Sequence, residues 1–195
     1  MSNFHITITG GKHKGKKLQS ASLETTRSTK SILKGSLFDT LQFDIVEQNF
    51  VEVFGGSGSM GLEAVSRGAN KAYFIERDKS AFAVLTQNCK MIDEDKTVTY
   101  HGDSFEIYPR VVAELEKKDE KAYLYFDPPF DSREGMDDIY EKVLTLIENT
   151  PKSIVLMIII EHATKTKMPE VIGAFVQKKM KKFGKSSLSY YTVVS

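Results

Sequence analysis

Cysteine is nearly absent. The 195 residues hold one, Cys89, which excludes an intramolecular disulfide and fits a reducing compartment. Its surroundings, "FAVLTQNCKMI", read as an apolar helix, so the thiol is expected in or near the core as an inert group. Long hydrophobic runs are missing as well. The longest, "IVLMIII" at residues 154–160, is too short to cross a bilayer and reads as a strand buried on both faces. The opening "MSNFHITITGGKHK" lacks the apolar stretch that follows a basic start in a secretory signal, so a cytoplasmic protein is expected. The four histidines, His5, His13, His101 and His162, show no metal-ligand spacing. There is no internal repeat and no low-complexity linker.

What is present is ordinary in amount and uneven in placement. Hydrophobic residues at 41% and charged residues at 27% describe a soluble globular chain, long enough to bury a core without metals. Its length suits one domain with a small appendage. The net charge of +1 conceals a gradient. Residues 1–35 carry seven Lys/Arg against one Glu, and residues 164–195 carry seven Lys against one Glu. The middle is therefore acidic. Basic ends on an acidic body point to a local contact with a polyanion.

Residues 4–20, "FHITITGGKHKGKKLQS", alternate around Gly-Gly and predict a short antiparallel appendage. Ile32, Leu33, Leu37, Phe38 and Leu41 then recur at helical spacing. From residue 50 onward, apolar runs of strand length ("FVEVF", "KAYFIE", "TVTYH", "KAYLYF", "SIVLMIII") alternate with helical patterns near 59–67, 79–92, 106–117 and 136–148. That alternation predicts a parallel sheet covered by helices. The closing "AFVQKKMKKFGKSSLSYYTVV" predicts an antiparallel hairpin turning at Phe183-Gly184-Lys185. The expected fold is Rossmann-like α/β with a mostly parallel seven-stranded sheet. Residues 1–44 form the appendage and 45–195 the main domain.

"VEVFGGSGSMGLEA" (51–64) contains Gly56-x-Gly58-x-x-Gly61 between a predicted strand and a predicted helix, the context in which this motif approaches a nucleotide-like ligand. Glu76 ends the next strand, where a carboxylate accepts from ribose hydroxyls. Both NAD and S-adenosylmethionine offer such a ribose. Glu52, just ahead of the loop, suits a ligand bearing an ammonium and a sulfonium rather than a diphosphate. Asp103 would end the third strand on the same edge, with Ser104 and Phe105 beside it. "YLYFDPPF" then places Asp127, Pro128, Pro129 and Phe130 after a strand. Two prolines remove two N–H donors and leave a rigid corner of acceptors, suited to a flat base carrying an –NH2 group, with Phe130 to stack on it.

In that order the motifs resemble class I S-adenosylmethionine-dependent amino-methyltransferases. Together with "ITGGKHKGKKL", "TTRSTKSILKGSLFDTL", "FIERD" and "KKFGKSSLSYY", they resemble the bacterial 16S ribosomal RNA guanine-N2 methyltransferase family over essentially the whole chain. The resemblance implies methyl transfer to the exocyclic amine of the guanine at nucleotide 966, in an assembled or partly assembled 30S subunit, by a monomer that needs no metal. It makes Asp127, Pro128, Pro129 and Phe130 catalytic. It makes Glu52, Phe54, Gly56, Ser57, Gly58, Glu76, Arg77, Asp103 and Ser104 cofactor contacts. Lys12, Lys14, Lys16, Lys17, Arg27, Thr29, Lys30 and Lys34 are the expected RNA contacts. The family's Arg-Pro-Thr reads Arg27-Ser28-Thr29 here, and its later Asp-Arg pair is Ser31-Ile32, so no contact carries over at those two positions. Gly55 stands where the family often has Ala. Glu161 falls near the active edge without an assigned role. The alternatives are a DNA adenine-N6 or other nucleic-acid amino-methyltransferase and a noncatalytic RNA-binding assembly factor. An NAD oxidoreductase fits least, because the length leaves no room for a separate substrate domain.

Overall fold

A computed structural model describes residues 5–20, 27–129 and 138–194, with the side chains of 27–29 left out. The chain forms two compact units, Met1–Ser104 and Phe105–Ser195. In the first, β1 (His5–Thr7) and β2 (Lys17–Gln19) pair antiparallel with Ile6 opposite Leu18. This hairpin does not stand free. Ile8 and Leu18 are fully buried in one cluster with Leu62, Phe74, Leu85 and Cys89, and such apolar burial is worth about 1.5–3 kcal/mol per side chain. The helix α1 (Arg27–Leu41) buries Leu33, Leu37, Phe38 and Leu41 on one face. Ile32 departs from the expected stripe and is 62% exposed. It lies beside the buried face rather than on it.

The remaining elements of this unit are β3 (Asn49–Glu52), α2 (Ser59–Ser66), β4 (Ala72–Glu76), α3 (Lys79–Ile92) and β5 (Thr97–His101). The strands are parallel in the order β5-β4-β3, with Phe50 opposite Ala72 and Glu76 opposite His101. All four residues of β3 and the first four of β4 are buried, which explains the apolar run of β4 and leaves Asn49 and Glu52 as buried polar ends of β3. Asp78 caps α3 by accepting from the Ala81 N–H at 2.8 Å.

The second unit holds most of α4 (Ser104–Lys117), then β6 (Ala122–Phe126), α5 (Ile139–Glu148), β7 (Val155–Ala163), β8 (Val171–Ile172), β9 (Phe175–Phe183) and β10 (Ser186–Val193). β6 and β7 are parallel, and β10, β9 and β8 follow antiparallel in that order. The hairpin turns at Gly184, whose φ of 62° is left-handed. Seven strands match the apolar runs, and the two-residue β8 is an addition. β7 also outruns its apolar stretch. Glu161 and His162 are fully buried because β6 and β10 supply partners: Tyr125 donates its hydroxyl to Glu161 at 2.5 Å, and His162 Nε2 meets Ser189 Oγ at 2.8 Å. Among the described residues, no helix is long and apolar enough to cross a membrane.

Candidate functional site

The glycine loop is set by backbone geometry. β3 ends at Glu52. The Gly55 N–H then donates to the Ile75 carbonyl at 2.7 Å, and the Gly58 N–H closes a turn on the Gly55 carbonyl at 2.7 Å. Gly56 and Gly58 both have positive φ, 51° and 77°, and Gly58 is the residue from which α2 starts. Gly61 serves packing instead, since a Cβ there would lie 2.4 Å from the Phe74 ring. A Cβ at Gly55 would sit 3.0 Å from the Ile75 carbonyl oxygen, a tight contact that glycine avoids.

Two carboxylates hold this loop. The buried Glu52 accepts from the Gly61 N–H at 2.8 Å. Glu76 accepts from the Gly56 N–H at 2.7 Å through one oxygen and from the Asp78 N–H at 2.7 Å through the other. A carboxylate oxygen has two lone pairs, so each still has an acceptor site for a hydroxyl. Glu76 is thus aimed by the loop it braces, and a vicinal diol fits its two oxygens. The space around Gly56 is open, with nothing within 4 Å of where its Cβ would be. These features suit the adenosine end of S-adenosylmethionine.

The other expected cofactor residues differ among themselves. Phe54 and Ser57 are half-buried in the loop. Asp103 follows β5, and its carboxylate lies 3.5 Å from the exposed Arg77 guanidinium, a pair too solvated to contribute much. Ser104 is tied to the backbone. Its hydroxyl is buried and donates to the Val53 carbonyl at 2.6 Å, so that proton fastens the start of α4 to the segment after β3.

The Asp-Pro-Pro corner follows β6, whose five residues are all buried. Asp127 is half-buried, Pro128 buried and Pro129 half-buried, while Phe130 lies outside the described residues. Beneath the corner, Phe126 meets Tyr108 edge-on at 5.4 Å, and Tyr108 is tied to Thr150 at 2.8 Å. Burial pushes the Tyr108 phenol well above its usual range, so it stays neutral.

Of the expected RNA contacts, Lys12, Lys14, Lys16 and Lys17 are exposed, and Lys16 also reaches the Met91 carbonyl at 3.0 Å. Lys30 is half-buried, and the side chains of Arg27 and Thr29 lie outside the described residues. Lys34 requires correction. It is only 3% exposed, donates to the Thr7 carbonyl at 2.8 Å and pairs with Glu63 at 3.3 Å. Its ammonium is committed inside the fold and is unavailable to phosphate.

Two positioning residues escape sequence reading. The fully buried Glu63 accepts from the Thr9 N–H and hydroxyl, the Gly10 N–H and Arg67 Nε, all at 2.8–2.9 Å. Burial alone would push its carboxyl up, but Lys34, these N–H donors and Arg67 together hold it below the usual range. The buried Asn88 exchanges hydrogen bonds with the Gln19 backbone and donates to the Ser57 carbonyl at 2.9 Å. An Asn within an apolar helical pattern was the available signal.

Residues 6–192 match the family described as conserved hypothetical protein 95. The ribosomal RNA small subunit methyltransferase D of Buchnera aphidicola subsp. Baizongia pistaciae is 28% identical over 193 residues, covering 97% of this chain and 93% of that one. The structure of Escherichia coli yhhF has a TM-score of 0.74 at 24% identity and covers 98% of this chain and 99% of that one. An RNA methyltransferase from Salinibacter ruber, solved with S-adenosyl-L-homocysteine, has a TM-score of 0.56 at 14% identity, covering 83% of this chain and 90% of that one. These likenesses give the fold as Rossmann-like class I with C-terminal antiparallel strands. With 187 of its 195 residues inside the family match, the chain belongs to the conserved hypothetical protein 95 family, that of the small subunit methyltransferase D type.

Proposed function

We propose that this protein transfers a methyl group from S-adenosylmethionine to the exocyclic N2 amine of a guanine in 16S rRNA, nucleotide 966, within the small ribosomal subunit. The observation that carries the reading is the acceptor-only corner, Asp127-Pro128-Pro129 after the buried strand β6. The braced glycine loop with Glu76 supports the cofactor assignment. The family membership and the name of the Buchnera relative support rRNA as substrate. Residues 1–44 then form the RNA-contacting appendage, through Lys12, Lys14, Lys16 and Lys17.

S-adenosylmethionine supplies an electrophilic methyl carbon on a sulfonium. Glu76 holds the ribose diol, and Glu52 keeps the loop in place through the Gly61 N–H. Asp127 and the Pro128 carbonyl accept the two amine protons, which turns the nitrogen lone pair away from the ring and toward the methyl carbon. With the cofactor bound, the nitrogen would be placed to take the methyl carbon, and the electron pair of the carbon–sulfur bond would leave on sulfur. The proton then surplus on nitrogen passes to the Asp127 carboxylate or to water. Alignment and electrostatics perform this displacement without a covalent enzyme intermediate.

Asp127→Ala and Asp127→Asn test the reading on 30S subunits from a strain lacking the modification. Methyl transfer is expected to fall by at least about 100-fold, the scale of losing a preorganised transition-state contact. Cofactor affinity by calorimetry should stay within a few-fold. Full activity in either variant overturns the mechanism, and methyl label mapping to an adenine overturns the base assignment.

A further inference from the structure

We propose that the outer edge of the β9–β10 hairpin, carrying Lys178, Lys179, Lys182 and Lys185, is a second phosphate-binding surface that tracks the RNA backbone apart from the N-terminal lysines. It rests on the reading that the substrate is RNA.

Residues 171–195 contain five lysines and no Asp or Glu, and all five lysines fall within residues 178–185. β8 covers only the start of β9, pairing with Phe175 and Val176. From Lys178 onward the outer edge of β9 meets no strand among the described residues. Lys178, Lys179, Lys182 and Lys185 are all exposed, and Lys178, Lys182 and Lys185 have no ion pair among the described residues. The register breaks between Tyr190 and Tyr191, where Lys178 is the extra residue of a bulge. A bulge bends its strand and re-aims the side chains around it.

The side chains on either side of this edge are ordered differently. Lys179 lies over the Tyr190 ring, with its ammonium 4.8 Å from the centroid, on the face that also holds Leu188. Its pKa is held below the ordinary value by partial burial and by the like charge of Lys181. Lys182 stands opposite Ser187 on the other face. Lys179 and Lys182 therefore place cations on opposite faces of β9. A polyanion would relieve such crowding of like charge. Lys181 is half-buried and engaged within the fold, so it is not counted in the surface.

The competing use of edge lysines is to prevent strand-to-strand association. The two uses separate experimentally. A variant with Lys178, Lys179, Lys182 and Lys185 all changed to Gln, and its counterpart with all four changed to Arg, are compared with the wild type. The readout is anisotropy of a short fluorescein-labelled hairpin from 16S rRNA across a salt series. Each phosphate contact steepens the log–log salt slope by about 0.7–0.9. If two to four of the lysines bind phosphate, the Gln variant should show a slope shallower by about 1.5–3.5, and the Arg variant should keep the wild-type slope. Between about 50 and 200 mM salt, the wild type should lose about 10- to 100-fold more affinity than the Gln variant.

Equal slopes and affinities for wild type and Gln variant overturn the proposal. If that variant also associates into larger species by light scattering, the lysines serve edge protection alone. Absence of measurable RNA affinity in the wild type overturns it too. Methyl transfer by the wild type to 30S subunits is measured in parallel. Failure there sinks the proposed reaction without altering the binding comparison.

Discussion

Replacing Glu63 by Gln preserves the shape of the side chain and removes only its charge and one acceptor oxygen. In the native fold one oxygen takes the Thr9 hydroxyl, the Gly10 N–H and Arg67 Nε, and the other takes the Thr9 N–H and faces Lys34. Whichever way the amide is turned, its –NH2 group confronts fixed donors. The buried Lys34 ammonium also loses its counter-charge. Each stranded donor costs about 1–3 kcal/mol, and breaking a buried pair costs about 3–5 kcal/mol. These terms overlap, so the expected loss is about 3–5 kcal/mol out of a total stability of about 5–15 kcal/mol. Arg67 contributes least, because it is partly solvated.

Urea unfolding would give the global change, and amide exchange at Thr9 and Gly10 would show whether the hairpin lets go first. Adding Lys34→Met to the Glu63→Gln chain should return part of the loss, since the orphaned charge is then gone. A Glu63→Gln chain within about 0.5 kcal/mol of wild type, with unchanged protection, would refute the reasoning. The pH dependence follows the same residue. The folded carboxyl of Glu63 is held below its unfolded value. Its contribution is fully present above about pH 4.3, the unfolded value, and is lost as pH falls through the folded one. Glu63→Gln should flatten that part of the acid limb.

Glu76→Ala should weaken S-adenosylmethionine binding by about 10- to 100-fold, the worth of charged hydrogen bonds, and unchanged affinity by calorimetry would remove Glu76 from the site. Gly61→Ala drives a Cβ against the Phe74 ring and should cost about 1–3 kcal/mol in urea unfolding through overpacking. Burial pushes the Cys89 thiol up to about 12, so iodoacetamide at pH 8 should label it only after unfolding, and fast labelling of the native chain would show a mobile α3.

Legibility in the sequence followed the range of the interactions. The glycine loop and the Asp127 corner were readable because turn, φ and missing N–H groups are local properties of Gly and Pro. Gly56 and Glu76 were found for the same reason: a twenty-residue spacing belongs to one strand–helix–strand unit. Charge patterning placed the exposed Lys12, Lys14, Lys16 and Lys17 but misread Lys34, since a run of cations does not say which one folds inward. Glu63 reads as an ordinary helix acid, and its partners Thr9 and Gly10 lie more than fifty residues away. Glu161 and His162 fall in a strand that seemed to end before them because their partners come from β6 and β10, 36 and 27 residues distant. Polar burial is a tertiary fact, and no local pattern encodes it.

The amide of Asn88 gives the N-terminal hairpin a consequence beyond grip. One side chain joins the backbone of Gln19 at the end of β2 to the carbonyl of Ser57 in the glycine loop. Order in the hairpin and order in the loop therefore share one fastener. Linkage makes any coupling through it reciprocal: whatever steadies the hairpin through Asn88 steadies the loop, and the converse. Asn88→Ala would uncouple them, read as RNA affinity that no longer responds to S-adenosylmethionine. On this view the appendage is less an accessory handle than the far end of the glycine loop's support.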